Sequence, residues 1–535
     1  MNGLKYNPMI KIITVLSAAA LLTGAVSVSA SAVVIDGEEV AATYDATVAE
    51  GSSDDLPSSY SSLDKGYVTP AKSQSYNDCW AYSATAAFES KLLRDGVVTD
   101  TNAVRMSELH LNLWATTRTN GKGWIRSISD SGYCYIAPGY YASWQGGIFE
   151  SDAADILPDS NIKGDEVPTD RAKYGVTAMR YVSRNNMDGI KRAIMENGGV
   201  TTGYSHKGIF MNNSTSYYMP ESYTEPKNGH QVEIVGWDDN YDKSNFKSTP
   251  KNNGAWLMKS SWGSGSPLNG FYWISYETKY LFDGKAYEPC FAIEQYEEIT
   301  DRKKMIQNEI FGATYEVTLE GKNEGVFLNR LTFDKDFYVL DKVIFETKAE
   351  STEYELYLVP EADGAPSSDT DTWKLIGSGT TDHAGYICTD INNIELAQST
   401  ASIAVKLKNN GGDAKIGVDE WVDTSNGAFK FIPESEFGMS YFYDNGKMTD
   451  LMQWYKDTLN NDMGGTLVIK GLTFKPESGD VNLDSNVDIL DVTLIQQYLA
   501  ELEQLSPNQK KLADFNGDGE IDISDATAIQ VKIAS

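Results

Sequence analysis

The residues best suited to covalent chemistry lie around Cys79, which begins an apolar helical segment five residues after Gln74. A thiol at a helix N-terminus lies beside unpaired backbone N–H groups and the positive end of the helix dipole, and both favour the thiolate. The thiolate is the nucleophilic form of cysteine, and nearby amides can stabilise an oxyanion on an attacked carbonyl group. The alternative is that Cys79 is a small buried residue opening an amphipathic helix. In both cases the pattern predicts a helix over residues 79–95 that ends at Gly96.

A cysteine nucleophile needs a base within hydrogen-bond reach. The chain has four histidines, and one of them, His230, directly precedes the apolar strand-like segment 231–237. The entrance of a buried strand would hold an imidazole rigidly while its ring faces a cleft. The other three fit histidines that are satisfied by local hydrogen bonds, and they are His110, His206 and His383. We therefore expect His230 to be the base.

Three motifs, in chain order, resemble those of papain-like cysteine peptidases. The motifs are residues 70–83, 229–232 and 259–270. The resemblance covers residues 57–290 and implies an α+β peptidase domain in which Cys79 is the nucleophile. It also implies that His230 is its partner and that the two rest as a thiolate–imidazolium pair.

The resemblance extends to residues around the nucleophile. It implies that the side-chain amide of Gln74 and the backbone N–H of Cys79 form an oxyanion hole. It further implies that Trp262 shields the hydrogen bond behind the base from water. A glycine pair would contact the backbone of an extended peptide, and this pair corresponds to Gly146 and Gly147.

The sequence departs from the family pattern in three places. The asparagine that orients the base is replaced by Ser260, whose hydroxyl can accept from the imidazole N–H but has a shorter reach. We expect reduced rather than absent activity, because the orienting residue usually contributes less than the nucleophile or the base. The segment from Gln74 to Cys79 is one residue shorter than usual, which would displace an oxyanion donor. Residues 33–58 are too few for a long inhibitory propeptide.

The pattern along the chain divides it into five segments. The first residues combine lysines, an apolar run and then small residues, which is typical of a secretory signal peptide. Beyond the peptidase region, short strands separated by Gly, Asp and Asn turns predict an all-β sandwich. Residues 236–241 and 254–256 are similar to a bacterial papain-like branch in which a lectin-like sandwich follows the peptidase. The predicted segments are a signal peptide (1–32), a flexible mature N-terminus (33–58), a papain-like domain (59–291), a lectin-like β-sandwich (292–475) and a small C-terminal module (476–535).

Two twelve-residue segments, 480–491 and 514–525, repeat the same pattern of carboxylate and amide side chains. Oxygen ligands at this spacing let a loop wrap a hard cation such as Ca²⁺, and a helix follows each loop. The pair resembles a type I dockerin, a small α module, and this implies two bound Ca²⁺ ions and a cohesin domain of a scaffold protein as partner. Loop two has Gly519 at the sharp turn, whereas Ser485 in loop one is strained if its φ is positive. The candidate ligands are Asp480, Asn482, Asp484, Asn486, Asp488, Asp491, Asp514, Asn516, Asp518, Glu520, Asp522 and Asp525.

The net charge and the apolar pattern of the chain exclude some classes of partner and a membrane span. A formal net charge of −31 argues against a nucleic-acid partner, which would require a basic surface. No segment after the N-terminal apolar run offers about 20 apolar residues, so we expect no membrane span.

If Cys79 is a free nucleophile, at least one of the other three cysteines is also unpaired. Those cysteines are Cys134, Cys290 and Cys388.

The sequence therefore predicts a multidomain, secreted cysteine peptidase that cleaves a peptide or protein substrate through a Cys79 thioester acyl-enzyme. It would need no cofactor for catalysis. Its dockerin would attach it to a cohesin-bearing scaffold of a cellulosome-like complex, which would hold it outside the cell at the cell surface. Two alternatives remain open. The first is a weakly active or inactive papain-like component that binds peptides or regulates partners, and the second gives the β-sandwich the primary role in adhesion or carbohydrate binding.

Overall fold

The computed structural model describes residues 26–29 and 56–535, except for 134, 157, 160, 184–185, 225–228, 282–289, 397–398, 424–429 and 461. Nearly all of the predicted signal peptide and flexible N-terminus therefore lies outside the described residues, as does Cys134.

The helices of the described segments are short to medium in length. None of them is long and apolar enough to cross a membrane. The α-helices are α1 (Cys79–Arg94), α2 (Glu108–Trp114), α3 (Ile136–Ala142), α4 (Met187–Asn197), α5 (Leu451–Leu459), α6 (Ile489–Leu499), α7 (Pro507–Ala513) and α8 (Ile523–Ala534). Single 3₁₀ turns occupy Gly164–Glu166, Gly208–Phe210, Lys243–Asn245 and Thr370–Thr372.

The strands dominate the centre of the chain. Up to the end of the predicted peptidase region they are β1 (Val26–Ser29), β2 (Ser59–Ser61), β3 (Gly123–Trp124), β4 (Tyr174–Val182), β5 (Val200–Ser205), β6 (Met211–Asn212), β7 (Ser216–Tyr217), β8 (Gly229–Asp238), β9 (Ala255–Lys259), β10 (Phe271–Ser275) and β11 (Cys290–Glu298). The following strands are β12 (Lys303–Ile306), β13 (Tyr315–Leu319), β14 (Glu324–Thr332), β15 (Val339–Thr347), β16 (Thr352–Val359), β17 (Glu361–Ala362), β18 (Ala365–Pro366), β19 (Lys374–Thr381), β20 (Ala384–Glu395), β21 (Thr400–Asn409), β22 (Lys415–Glu420), β23 (Val422–Asp423), β24 (Lys430–Ile432), β25 (Ser440–Asp444), β26 (Lys447–Asp450), β27 (Gly465–Leu467) and β28 (Ile469–Phe474).

A helix and a sheet meet at the centre of the first domain. The sheet has the order β2-β8-β9-β10-β7-β6, and β5 also pairs with β8. Strand β8 is buried on both faces over residues 230–237, as expected for a central strand, although it carries polar as well as apolar side chains. Helix α1 lies against β8, and the Ser83 hydroxyl donates to the carbonyl of Val232 at 2.7 Å. The helix ends before Gly96, whose φ of 75° suits a glycine terminator, in agreement with the sequence prediction.

A second sheet crosses the boundary predicted at residues 291 and 292. Strand β11 spans that boundary and pairs with β4, while β4 also pairs with β20 of the sandwich. Gly385 lies at this junction with a φ of 131°, and a Cβ there would meet the carbonyl oxygen of Met179 at 2.0 Å. Only glycine permits this close approach of the two strands. Through the pairings of β4 with β11 and β20, the two domains share one continuous sheet.

The predicted β-sandwich consists of this ten-stranded sheet and a six-stranded sheet with the order β19-β16-β21-β14-β25-β26. Their inner faces form one apolar core, in which Phe345 of the first sheet packs with Phe327, Leu356 and Val405 of the second. Alternating side chains of twisted antiparallel strands supply such a core.

The last helices form a small domain that packs on the sandwich. Its own core includes Val492 of α6 and Ile529 of α8. Leu483, from the first loop, is 4% exposed and packs against Val339 and Phe474 of the sandwich. The C-terminal domain is therefore fixed to its neighbour by apolar contact as well as by the chain connection.

Candidate active site

Cys79 is the first residue of α1, at the end of the short segment that follows Gln74. Its Sγ accepts a hydrogen bond from the backbone N–H of Gln231 at 3.4 Å, so the thiol lies beside the start of β8, where Gln231 directly follows His230. Burial raises the pKa of Cys79 to about 11; the Gln231 N–H opposes this rise and the neighbouring carboxylate of Asp78 adds to it. The structure thus brings together the predicted nucleophile and the strand that carries the predicted base.

The imidazole of His230 is held between aromatic rings. The residue is 5% exposed, and its ring stacks on the indole of Trp262 with centroids 4.1 Å apart and an interplanar angle of 12°. Burial, and to a smaller extent the nearby His206, lowers the pKa of His230 to about 3. Burial therefore favours a neutral thiol and a neutral imidazole. The expected ion pair therefore requires transfer of the thiol proton to the imidazole inside the cleft.

Ser260 does not form the orienting hydrogen bond expected from its position. Its Oγ accepts from the backbone N–H of Trp262 at 3.2 Å. Within the described part of the chain, Nε2 of His230 has no hydrogen-bond partner although it is buried. A serine side chain is shorter than an asparagine side chain and does not reach the imidazole here. The expected hydrogen bond between Ser260 and His230 is therefore absent from the described residues.

The side chain of Gln74 is held by hydrogen bonds on the segment before Cys79. Its Oε1 accepts from the Ser261 hydroxyl at 2.6 Å, and its Nε2 donates to the carbonyl of Tyr76 at 2.7 Å. A side-chain amide has two N–H donors, so one donor remains after the bond to Tyr76. The oxyanion role of Gln74 stays a prediction.

The two glycines predicted to contact substrate have packing constraints of their own. A Cβ on Gly146 would come within 1.7 Å of the Tyr140 ring and hydroxyl, and Gly147 has a left-handed φ of 92°. These positions therefore require glycine for packing and backbone conformation. Their contact with a peptide backbone stays a prediction. Trp262 is 45% exposed while stacked on His230, in keeping with the predicted shield.

A buried ionic cluster behind α1 was not predicted. Lys72 lies 2.9 Å from Glu89 and 2.8 Å from Glu108, and Lys259 lies 3.8 Å from both Glu89 and Glu233. Buried charges persist only when they are paired in this way. The only signal in the sequence is that both lysines lie inside the motif regions, while the carboxylates are far apart along the chain.

His206 is a second histidine at the site, and sequence reasoning did not place it there. The register of β5 on β8 places Tyr204 opposite His230, and His206 follows at the end of β5. Its ring centroid lies 6.2 Å from that of His230 and 4.6 Å from that of Trp262. Strand pairing brings the two histidines together, and pairing is not evident from one sequence.

The two C-terminal loops have the donor chemistry of cation sites. Asp480 Oδ2 and Asp514 Oδ1 are buried oxygens without a hydrogen-bond partner among the described residues. Asp491 accepts from the N–H groups of Val481 and Asn482, and Asp525 accepts from that of Asn516, so each loop is closed by its last residue. No three His, Cys, Asp or Glu side chains of the described residues are already gathered as a metal site. The ordered oxygens nevertheless fit Ca²⁺, which uses carboxylate, amide and backbone ligands.

The backbone of the first loop has the strain predicted for it. Ser485 has a φ of 73°, and its counterpart in the second loop, Gly519, has a φ of 88°. Side chains of Asp488 and Asp522 accept from backbone N–H groups at the starts of α6 and α8 and cap these helices. These two predicted ligands therefore have a structural role in the fold, and ligation by the whole predicted set stays a prediction.

Comparison with known proteins matches all three regions. Family models match the papain family cysteine protease at residues 56–290, the lectin like domain at 305–471 and the dockerin type I domain at 478–534. Among curated proteins, human cathepsin L2 is 27% identical over 228 residues, which are 41% of this chain and 61% of that protein. Rat cathepsin S is 27% identical over 234 residues, with 41% and 60% covered. The chain thus spans about three fifths of these relatives.

Solved structures match two of the domains together. The cysteine protease and lectin-like domains of Cwp84, a surface layer associated protein of Clostridium difficile, are 30% identical, with a TM-score of 0.68 and coverage of 78% of this chain and 89% of that one. A second structure of the clostridial cysteine protease Cwp84, after propeptide cleavage, gives a TM-score of 0.67 at 30% identity and covers 78% of this chain and 100% of that one. The predicted multidomain fold class is confirmed. The chain belongs to the papain family of cysteine proteases, with a lectin-like domain after the protease domain and a type I dockerin at residues 478–534.

Proposed function

We propose that this chain is a secreted cysteine peptidase that hydrolyses peptide bonds through Cys79 and is attached to a cohesin-bearing scaffold by its dockerin. One observation carries the catalytic part. The thiol at the N-terminus of α1 accepts the N–H of Gln231, beside the buried imidazole of His230. The thiol at the helix N-terminus therefore lies beside the start of the strand that carries His230, and acyl transfer by a cysteine needs a base in such a position.

The reaction follows from the chemistry of these groups. The proton of the Cys79 thiol moves to His230, and the sulfur attacks the carbonyl carbon of the peptide bond. The tetrahedral oxyanion collapses to a thioester, the C–N bond breaks, and His230 gives its proton to the leaving amine. A water molecule then attacks the thioester carbonyl carbon while His230 takes its proton, the C–S bond breaks, and His230 returns the proton to the Cys79 sulfur. The products are a carboxylic acid and the free thiol.

The remaining residues at the site support these steps. The backbone N–H of Cys79 and the free N–H of Gln74 are proposed to stabilise the oxyanion. Trp262 covers one face of the His230 ring and limits access of water to it. Gly146 and Gly147 are proposed to contact the peptide backbone, because glycine leaves the backbone open to close approach.

A weakly active or inactive peptide-binding component is the second candidate. It is favoured by the buried Nε2 of His230, which lacks a hydrogen-bond partner among the described residues, and by the bond of Ser260 to Trp262. An imidazole without an orienting hydrogen bond samples more ring positions, and this lowers the rate of proton transfer.

An epoxide thiol inhibitor and a peptide library test the catalytic proposal. We expect labelling of the wild type, no labelling of Cys79→Ala, and faster labelling and hydrolysis in Ser260→Asn. The matched control is Ser264→Asn, which changes an exposed serine in the loop before β10. Absence of labelling at Cys79, together with no hydrolysis of any library member, would refute the peptidase proposal. Labelling without hydrolysis would favour the peptide-binding alternative.

The dockerin is proposed to bind two Ca²⁺ ions and a cohesin domain. Exposed apolar residues at the starts of α6 and α8 support a docking role: Ile489, Leu490 and Ile523 are 55%, 56% and 60% exposed. Each lies where a cation loop passes into its helix, so ion binding would fix the helix that carries it. Together with the signal peptide predicted over residues 1–32, cohesin binding would place the protein outside the cell on a scaffold complex.

Circular dichroism and a cohesin binding assay test this second part. We expect Ca²⁺ to increase the helix content and to be required for binding. Asp480→Ala combined with Asp514→Ala should abolish both effects. Helix content that is indifferent to a chelator would refute Ca²⁺ binding, whereas a Ca²⁺ response without binding to any cohesin would refute the partner.

A further inference from the structure

We propose that His206 is a positioning residue that holds the indole of Trp262 against the imidazole of His230 and so replaces the orienting hydrogen bond that Ser260 does not supply. The inference rests on the proposed peptidase function. It assigns to this chain a way of fixing the base by aromatic packing instead of by a hydrogen bond from residue 260.

The three rings form a compact group. Trp262 stacks on His230 with centroids 4.1 Å apart, and His206 lies edge-on to Trp262 with centroids 4.6 Å apart and an interplanar angle of 64°. Trp262 is 45% exposed, so one side of its ring is free to move toward solvent. Contact with His206 restricts that movement, because close-packed rings can slide only if their neighbours give way.

His206 is itself held rigidly. The Tyr204 hydroxyl and His206 Nδ1 share a hydrogen bond of 3.0 Å, and the same hydroxyl lies 2.8 Å from that of Tyr272. The ring of Tyr217 stacks on His206 at 5.4 Å and 24°. All three tyrosines are buried. The anchor therefore extends from β10 and β7 through His206 to the ring that covers the base.

The need for such an anchor follows from the state of His230. Its Nε2 has no hydrogen-bond partner among the described residues, so only ring packing restricts its rotation there. The packing comes from Trp262 on one face and from the edge of Tyr204, whose centroid is 5.9 Å away. Loss of the His206 contact would leave Trp262, and with it His230, less well fixed.

The electrostatics are compatible with this role. The groups that contact His206 are Tyr204, Tyr217, Trp262 and His230, and no carboxylate is among the described contacts of its ring. Burial lowers the pKa of His206 to about 4, so the ring is neutral near pH 7. His206 lowers the pKa of His230 through its charge only when it is itself protonated, so near pH 7 the neutral ring packs beside His230 without that repulsion.

Alkylation of Cys79 by iodoacetamide across pH tests the proposal in the full chain. We compare His206→Ala and His206→Phe, each with Ser260 and with Ser260→Asn. His206→Ala should lower the rate near pH 7 by about tenfold and alter the pH profile. His206→Phe should recover most of the rate, because it keeps the ring. In the Ser260→Asn background, where a hydrogen bond can orient the base, the loss should shrink to about twofold or less.

The control is Lys207→Ala, which changes the neighbouring side chain and should leave the profile unchanged. An unaltered profile in His206→Ala overturns the proposal, and so does an equal loss in both backgrounds. If the thermal midpoint shows that His206→Ala does not fold, the same alkylation assay is carried out with Tyr204→Phe. That variant removes only the hydroxyl anchoring His206, and the proposal requires a loss that Ser260→Asn again reduces.

Alkylation needs a thiol and a base but no peptide hydrolysis, so the two proposals can fail separately. The expected alkylation pattern without peptide cleavage would support the role of His206 and refute the peptidase. Peptide cleavage with a rate indifferent to His206 in both backgrounds would support the peptidase and overturn the role of His206.

Discussion

Leu483 and Gly517 occupy the same position in the two C-terminal loops, and both have a left-handed backbone, with φ of 62° and 74°. A non-glycine residue in this conformation costs about 1 kcal/mol. A Cβ on Gly517 would meet nothing within 4 Å, whereas the side chain of Leu483 packs on Val339 and Phe474. Burial of that side chain against the lectin-like domain offsets the strain of its backbone.

Leu483→Gly should therefore weaken the contact between the dockerin and the lectin-like domain. We expect a net loss of about 2 kcal/mol in the free energy that holds the dockerin in place, because the lost apolar burial exceeds the relieved strain. Limited proteolysis in the full chain measures this as faster cleavage around residues 476–479. Gly517→Ala is the control, since it adds backbone strain and a Cβ that meets nothing within 4 Å. Equal cleavage rates for wild type and Leu483→Gly would contradict the role of this contact.

Asp78 directly precedes Cys79 and is buried, with its Oδ2 accepting a hydrogen bond from Asn112 at 3.2 Å. Burial is the main cause that raises the pKa of the Cys79 thiol, and the negative charge of the Asp78 carboxylate raises it further. Asp78→Asn removes the charge with little change in shape. We expect the midpoint of the pH profile for Cys79 alkylation to fall by about one unit, with faster alkylation at pH 7.

The matched control is Asp95→Asn, at the opposite end of α1. It removes the same charge far from the thiol and should leave the midpoint where it is in the wild type. An equal midpoint in Asp78→Asn would show that the carboxyl at position 78 carries no charge while Cys79 titrates.

Glu233 links stability to pH. Burial raises its pKa from 4.5 to about 7, although Lys259 lies 3.8 Å away and opposes the rise. The folded chain therefore holds this proton more tightly than the unfolded chain. The protonated Glu233 adds its full contribution to the free energy of unfolding below about pH 4.5, and this contribution is lost as the pH rises through about 7.

Glu233→Gln should remove this pH dependence and retain the hydrogen bond from Ser90, which is 2.6 Å long in the wild type. Between about pH 5 and pH 8 the wild type should lose on the order of 1–3 kcal/mol more in free energy of unfolding than the variant. Denaturant titrations at several pH values measure the difference. Glu196→Gln, on an exposed part of α4, serves as control. Parallel pH curves for wild type and Glu233→Gln would be inconsistent with the raised pKa.

Local sequence signals were sufficient to single out Cys79, His230 and the repeated loops. Cys79 and His230 each lie at the start of a strongly patterned element, and the loops repeat with the same order of oxygen side chains. The helix α1 could be predicted for the same reason, because its apolar spacing and its terminal glycine are local features.

The features that could not be predicted depend on contacts between distant segments. His206 reaches the site only through the register of β5 on β8. Gly385 has no distinctive sequence context, and its role follows only from the pairing of β20 with β4, which makes the domain boundary a continuous sheet. The Ser260 hydroxyl accepts from the backbone N–H of Trp262 because its side chain is short. The sequence alone does not show whether such a side chain will contact this N–H group or the imidazole of His230.

Removal of Ca²⁺ should affect the two dockerin repeats unequally. The first loop is held by Leu483 on the lectin-like domain and by Arg302, whose guanidinium lies 3.7 Å from Asp480. The second loop has Gly517 and Gly519, which allow the unliganded backbone more conformations. We expect amides of α8 to exchange with deuterium sooner than those of α6 after chelator is added. In Leu483→Gly the difference should decrease, because the first loop then loses its anchor while its ligands remain. Faster exchange in α6 than in α8 in the wild type would mean that the strain at Leu483 and Ser485 outweighs the contact with the sandwich.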